Sequence, residues 1–319
     1  MNGAAPKLST EKFTRLNPVA KNILRVLLYF DIFQHPLKAE EIIQCCSEPS
    51  LSSDQVENEL SFLISQGLIS QDKKFFFLEN KSQAVLRRLA GEAKAEKSLK
   101  IARRFTKLIS SFPFVRGVCI SGSLSKGYMD QETDIDYFII TKPGRLWLSR
   151  TLLVLFKKIF LLNSRKYFCL NYFIDDENMR IPDKNFFTAT ELVFILPTYN
   201  YELYSQLMDR NKWIRKYYPY FPQRENAGIV PAHSSFFKKN LERLFNGRIG
   251  EKLDAWFFRI TLRHWKKKFL HFDENTFDHR LRSRKNVSKH HPKGFQESIL
   301  RSWEEKIDAF EFKYGADLR

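Results

Sequence analysis

Apolar residues recur with helical spacing in the N-terminal part of the chain, between residues 18 and 80. Segment 22–33 shows this period and ends before Pro36, and segment 39–46 shows it again over a shorter length. A third segment, 53–66, starts at Ser53, a residue type that caps helix N-termini, and Gly67 fits the position just past its end. The pattern predicts three consecutive helices.

Two short apolar segments, 68–70 and 74–78, then flank a polar turn at residues 71–73. They predict a β-hairpin, so the order of elements is helix, helix, helix, hairpin. Over residues 18–80 this order resembles the winged helix-turn-helix superfamily, and it predicts an N-terminal winged-helix domain. Residues 51–71 contain no Lys or Arg, which favours packing or partner binding by the third helix over sequence-specific DNA recognition.

Strand-like and helix-like segments alternate through the middle of the chain, after a long basic helix predicted over residues 81–111. The alternation predicts an α/β domain over residues 81–218. The apolar runs predict strands at 115–121, 135–141 and 167–174, and helices at 146–162, 188–196 (capped by Thr188) and 201–217. Residues 219–231 are rich in Pro, Gln and Asn and predict a linker or exposed loop.

Charge is concentrated in the C-terminal region, residues 232–319, whose apolar pattern is helical. The chain of 319 residues has a formal net charge of +17, and residues 238–293 hold 16 Lys and Arg against 6 Asp and Glu, a net +10. This balance favours polyanionic partners, and it predicts nonspecific nucleic-acid binding by the basic C-terminal region. The stretch 259–268 fits a solvated basic helix face that could bind either RNA or a lipid surface.

Cysteine usage and hydropathy indicate a cytoplasmic protein. The four cysteines form no CxxC pair, and the polar N-terminal segment has no apolar signal core. The longest apolar run, 151–163, is interrupted by Lys157 and Lys158 and is too short to span a bilayer. We therefore expect no transmembrane segment.

The candidate chemistry lies between the first two strands of the α/β domain. Gly122 and Ser123 follow the first strand, and Asp134 and Asp136 come ten residues later at the start of the next. Alternation along a strand puts the two carboxylates on one face, where they repel each other unless a cation lies between them. A magnesium ion, which prefers oxygen ligands and keeps waters and phosphates, meets that need.

The loop between the strands has the composition of a phosphate-binding site. Gly122 lets the backbone approach a phosphate closely, and Ser123 and Ser125 open a predicted helix whose N–H groups favour an anion. Lys126 adds a positive charge. The loop and the acidic pair together predict a site for a nucleoside triphosphate.

These residues resemble the DNA polymerase beta-like nucleotidyltransferase superfamily, in particular its minimal members. The family pattern of Gly-Ser, a short helix, then Asp-apolar-Asp is here GSLSKG followed by TDID, within residues 110–180. The resemblance implies a small mixed sheet flanked by helices and magnesium-dependent transfer of a nucleoside monophosphate. Asp134 and Asp136 would hold the metal, and the acceptor would be a protein, an RNA or a small molecule.

The family's third acidic residue has no clear counterpart. On the third predicted strand the corresponding inward position is Asn171, whose amide oxygen can ligate magnesium but cannot act as a base. Asp175, Asp176 and Glu191 are the alternatives. The second hypothesis is therefore a nucleotide- or nucleic-acid-binding regulator with a decayed active site.

Overall fold

The computed structural model describes residues 16–47, 52–78, 82–233 and 235–319, and these form two compact units. The first unit comprises the described residues up to Arg88 together with Arg215–Pro222 and Gln296–Arg319. The second comprises Leu89–Ile214 and Gln223–Phe295. The chain is thus divided at different places from the predicted ranges 18–80, 81–218 and 232–319.

The first unit begins with three helices and a hairpin, in the predicted order. They are α1 (Pro18–Asp31), α2 (Ala39–Cys45), α3 (Ser53–Ser65), β1 (Ser70–Asp72) and β2 (Phe75–Phe77). Ser52 rather than Ser53 caps α3, since its hydroxyl accepts the N–H of Gln55 at 3.2 Å. The hairpin turn lies at Lys73 and Lys74, about two residues later than predicted, because β1 starts at Ser70 and pairs antiparallel with β2.

The second unit is built on a mixed sheet, so the predicted α/β class with a mixed sheet is confirmed. Its strands are β3 (Val115–Ser121), β4 (Asp136–Thr141), β5 (Cys169–Asp175), β6 (Leu196–Tyr199), β7 (Ser283–Arg284) and β8 (Val287–Lys289). In the described residues their order is β6-β3-β4-β5-β8-β7. Only β4 and β5 run parallel, and every other neighbouring pair is antiparallel.

Helices surround this sheet. They are α4 (Ser82–Ser111), α5 (Gly122–Ser125), α6 (Leu146–Phe160), α7 (Phe186–Phe194), α8 (Tyr201–Arg210), a 3₁₀ helix (Lys212–Lys216), α9 (Phe236–Phe245), α10 (Arg248–Lys268) and α11 (Glu274–Arg280). Against one face of the sheet, Tyr137, Ile139 and Phe173 form a buried core with Trp147 of α6 and Trp265 of α10. Asp136 alternates with Tyr137, so its side chain lies on the opposite face.

The predictions for two helices of the second unit are wrong. The predicted helix 188–196 starts earlier, because Asn185 rather than Thr188 caps α7 by accepting the Thr188 N–H at 2.9 Å. It also ends earlier, because Leu196 begins β6, which lies at the end of the sheet order, where a proline such as Pro197 is tolerated. The predicted helix 201–217 is α8 followed by the 3₁₀ helix.

The C-terminal region is helical only in part. Its strands β7 and β8 extend the sheet beyond β5. A last helix, α12 (Phe295–Tyr314), packs with the first unit, where the rings of Trp303 and Tyr29 are 5.7 Å apart. Trp303 also donates to the Arg25 carbonyl at 3.0 Å.

Candidate functional site

The site is centred on the point where the turn after β3 meets the first residue of β4. Ser121, the last residue of β3, pairs with Asp136, and Gly122 follows with φ at +68°. A Cβ atom at Gly122 would lie 2.5 Å from Oδ2 of Asp136. Glycine is therefore required twice, for its left-handed conformation and for the close approach of the carboxylate.

Asp136 carries a perturbed carboxylate. Burial raises its pKa to about 7, and the negative charges of Asp134 and Glu191 act in the same direction. The Cys169 thiol and the Lys126 ammonium act against this shift. A buried carboxylate flanked by other acids is the arrangement that a bound cation stabilises.

Asp134 lies in the loop two residues before β4, so the predicted placement of both carboxylates by alternation along one strand is wrong. Its side chain is half-buried, and within the described ranges no hydrogen bond or ion pair involves its carboxylate. Its charge still acts on Asp136, so the acidic pair predicted from the sequence is brought together.

Asn171 contacts Asp136 directly. Its amide nitrogen donates to Oδ1 of Asp136, and its amide oxygen accepts from the Cys169 thiol at 3.1 Å. The strand register skips Asn171, because Tyr137 pairs with Leu170 while the next residue, Phe138, pairs with Tyr172. Asn171 is thus the extra residue of a β-bulge.

The bulge changes which side chains share a face of β5. Regular alternation along a strand would place Phe173 on the same face as Asn171, and the bulge prevents this. Phe173 joins Leu170 in the buried core, while Tyr172 stacks on Phe138 with ring centroids 5.0 Å apart. Asn171 and Tyr172 therefore both lie on the face of the sheet that carries Asp136.

The loop residues predicted to bind phosphate are held by contacts of their own. Lys126 donates to Glu191 Oε1 of α7 at 2.7 Å and to the Gly122 carbonyl at 3.3 Å. The buried Ser125 hydroxyl donates to the same carbonyl at 2.8 Å. The Ser123 carbonyl accepts the N–H groups of Lys126 and Tyr128, each at 3.1 Å.

The helix predicted after Gly122 is a single turn, α5, so little macrodipole accumulates to attract an anion. An arginine that was not predicted from the sequence, Arg224, holds this turn through hydrogen bonds to backbone carbonyls. The Arg224 guanidinium donates to the Ser125 carbonyl at 3.2 Å and to the Phe194 carbonyl at 3.3 Å. No sequence signal identified it, since it is one basic residue within the predicted loop 219–231.

Of the alternative acids, Asp175 and Asp176 lie far from Asp136. Asp175 pairs with Thr141 at the opposite end of β4, about 16 Å away for five residues of strand. It accepts the backbone and amide N–H groups of Asn178, both at 2.8 Å, which assigns it to the turn after β5. Glu191 is thus the acid beside Asp134 whose charge acts on Asp136.

The oxygen atoms of this site bear on whether it can hold a divalent cation. In the described parts of the chain, no group of three or more His, Cys, Asp and Glu side chains could hold a metal ion. Asp134 and Asp136 offer two carboxylates. A flip of the Asn171 side-chain amide, which exchanges its nitrogen and oxygen, would add the amide oxygen as a third ligand. Magnesium is commonly held by one or two carboxylates, with waters and substrate phosphates as its other ligands, so the residues fit that ion.

Within the ranges that the structure covers, no helix has the length and apolar character needed to cross a membrane. Comparisons of the chain with models of protein families, with curated proteins and with solved structures find no match.

Proposed function

We propose that this chain is a magnesium-dependent nucleotidyltransferase that moves a nucleoside monophosphate from a nucleoside triphosphate to an acceptor. The observation that carries the proposal is the contact between the Asp136 carboxylate and Gly122, with Asp134 close enough to raise the pKa of Asp136. The motif therefore joins a glycine turn to an acidic pair in space as well as in sequence. The motif's resemblance to minimal nucleotidyltransferases supports the same reaction.

In this reaction the bond between the α- and β-phosphates breaks, and a new bond forms from the α-phosphorus to an acceptor oxygen. Asp134 and Asp136 would hold the magnesium ion, which would stabilise charge on the phosphates and lower the pKa of the acceptor hydroxyl. The Gly122–Ser123 backbone approaches the outer phosphates, which leave as pyrophosphate. Positioning and charge stabilisation supply most of the catalysis.

Lys126 and Glu191 change partners when the nucleotide binds. In the structure, Lys126 and Glu191 form an ion pair at 2.7 Å, which balances the charge of Lys126. A triphosphate on the loop competes for Lys126, which releases the Glu191 carboxylate on the side of Asp136. Glu191 then accepts the proton of the acceptor hydroxyl, a role that the Asn171 amide cannot fill.

The second candidate is a nucleotide- or nucleic-acid-binding regulator with a decayed site. The observation that favours it is the hydrogen bond from the Asn171 amide to Asp136, at the position where the family has an acid. A regulator of this kind binds magnesium and nucleotide without turnover.

The first unit and the cysteines support two further parts of the proposal. The order of α1 to α3 and the hairpin supports a winged helix, and the acidic residues of α3 support a protein partner over a specific DNA site. Cys45, Cys46, Cys119 and Cys169 are buried thiols, which supports a reducing, cytoplasmic location.

The two candidates are separated by incubating the purified chain with magnesium, a cell lysate and each α-phosphate-labelled nucleoside triphosphate in turn. The enzyme transfers label to a macromolecular or small acceptor, and Asp136→Asn abolishes the transfer. Glu132→Gln, which removes an exposed carboxylate from the same loop, retains it. Nucleotide binding with no transfer from any of the four nucleotides would support the regulator instead.

A further inference from the structure

Helix α9 presents apolar side chains outward and polar side chains inward. The side chains of Phe236, Phe237 and Leu244 are 82%, 70% and 63% exposed. The buried face instead carries Lys238, whose ammonium donates to the carbonyls of Ser110 and Val115 at 2.8 and 2.7 Å. This is the reverse of the usual surface helix, whose apolar face is turned towards the core.

Glu242 continues the polar inner face of α9. It pairs with Arg116 at 2.8 Å and accepts the Phe114 N–H at 2.7 Å. Together with the buried contacts of Lys238, these partly buried polar contacts fix the rotation of α9 about its own axis. The exposed phenylalanines therefore cannot turn inward without breaking them.

Helix α10 has a second exposed apolar stripe. Ile249, Trp256 and Ile260 are spaced seven and then four residues apart, which places them on one line of the helix, and they are 65%, 52% and 42% exposed. The opposite face is anchored by the buried Asp254, which accepts the Leu148 N–H at 2.8 Å.

The corner between the two helices is tightly built. A Cβ atom at Gly250 would lie 1.7 Å from the Phe245 carbonyl oxygen, so α10 starts in direct contact with the end of α9. The buried Arg145 guanidinium donates to that carbonyl at 2.9 Å and to the Gly247 carbonyl at 3.1 Å. The two apolar stripes are thus held in a fixed relation within the second unit.

Basic side chains surround both stripes. The exposed charged residues of α9 and α10 are nine bases and a single acid, Glu251. The bases are Lys239, Arg243, Arg248, Lys252, Arg259, Arg263, Lys266, Lys267 and Lys268. An apolar strip bordered by Lys and Arg is typical of helices that lie in the interface of an anionic membrane.

We propose that α9 and α10 form a docking surface for an anionic phospholipid bilayer, with the two apolar stripes inserted between headgroups. Charge complementarity selects the partner, because the bases match anionic headgroups. The exposed Ile and Leu side chains favour lipid over nucleic acid, which is contacted through phosphate, hydrogen bonds and aromatic stacking. This surface goes beyond the proposed transferase chemistry and does not depend on it.

The test is co-sedimentation of the full chain with vesicles of phosphatidylcholine alone or of phosphatidylcholine mixed with phosphatidylserine. We expect binding to the mixed vesicles at least about tenfold tighter than to the neutral ones, and weaker in high salt. The Phe236→Ser/Phe237→Ser variant should lose at least about tenfold in affinity. Phe312→Ser, which removes a 93% exposed phenylalanine from the first unit, is the control and should bind as the original chain does.

Tryptophan fluorescence locates the contact, since Trp256 is the exposed tryptophan of α10. Mixed vesicles should shift the emission to shorter wavelength, and Trp256→Phe should remove the shift while vesicle binding persists. Three results would overturn the proposal: vesicle binding that ignores the phenylalanine substitutions, binding of a single-stranded RNA in place of vesicles, or a dimer dispersed by Phe236→Ser/Phe237→Ser with no vesicle binding.

Discussion

Gly122 is the residue at which backbone conformation and the acidic site depend on each other. Its φ of +68° and the 2.5 Å approach of Asp136 to its missing Cβ leave no room for a side chain. Because any substitution moves the carboxylate or the turn, stability and ligand binding are coupled at this position.

Gly122→Ala should therefore lower the free energy of unfolding by about 1–3 kcal/mol and weaken magnesium-nucleotide binding. Gly127→Ala is the matched control, since Gly127 has a similar φ of +71° but no atom within 4 Å of its added Cβ. It should cost about 1 kcal/mol and leave binding unchanged. Urea unfolding with and without magnesium and nucleotide measures both effects, and equal losses of binding in the two variants would contradict the role given to Gly122.

Asn171 sets the charge of the site. Asn171→Asp places a further carboxylate against Asp136, so we expect a lower thermal midpoint without magnesium and a larger rise when magnesium is added. If the protein is an enzyme, the substitution should keep or raise the rate of nucleotide transfer. If it is a regulator with a decayed site, the substitution should raise the affinity for magnesium without any transfer. A thermal midpoint that is insensitive to magnesium in both proteins would show that Asn171 lies outside the metal site.

At the scale of elements, the α9–α10 corner depends on a glycine for packing alone. Gly250→Ala must push the Phe245 carbonyl away, so it should cost about 1–3 kcal/mol in stability. At the neighbouring Gly247, a Cβ meets no atom within 4 Å, and Gly247→Ala should cost less than about 1 kcal/mol. Thermal unfolding compares the two, and an equal loss would mean that the corner is not the constraint.

Some helices and strands could be predicted from the sequence pattern and others could not. The helices of the first unit follow from apolar periodicity, and β3, β4 and β5 follow from apolar runs. Strands β6, β7 and β8 were not predicted from the sequence. They are two to four residues long and contain Pro197 or basic residues, so no period-two pattern marks them. Their places in the sheet are set by tertiary pairing.

Within the site, the glycine turn and the acidic pair were predictable because their spacing carries the signal. The bulge at Asn171 was not, since alternation was assumed to continue through β5. The Lys126–Glu191 pair was not predictable either, because its partners are 65 residues apart and meet only in the folded chain.

At the scale of the whole molecule, two partly buried histidines make stability depend on pH. Burial and the Arg150 and Arg165 charges lower the pKa of His290 to about 3, and burial and the Lys289 charge lower that of His291 to about 4, against the opposing charge of Glu191. The ordinary value is 6.5, so below it the unfolded chain takes up protons that the folded chain does not.

The contribution of the two histidines to stability should consequently fall as the pH drops from about 6.5 towards 4, by up to about 2 kcal/mol per histidine at pH 5, while Asp136, whose pKa is raised, acts in the opposite direction. The loss between pH 7 and pH 5, measured by urea unfolding, should be smaller in His290→Gln/His291→Gln than in the original chain. An identical loss in both proteins would show that these imidazoles do not carry the effect.

We propose that the acidic pair and the glycine loop bind magnesium and a nucleoside triphosphate. The thermal midpoint of unfolding, measured with both ligands, tests this binding. A saturating pair of ligands, at about 100 times the dissociation constant, adds about 2.7 kcal/mol to the stability of the folded state. We expect a clear rise in the thermal midpoint for the original chain and for Glu132→Gln. We expect no rise for Asp134→Asn/Asp136→Asn, whose fold should remain intact. An undiminished rise in the double variant, or no rise in the original chain with any of the four nucleotides, would contradict this proposal.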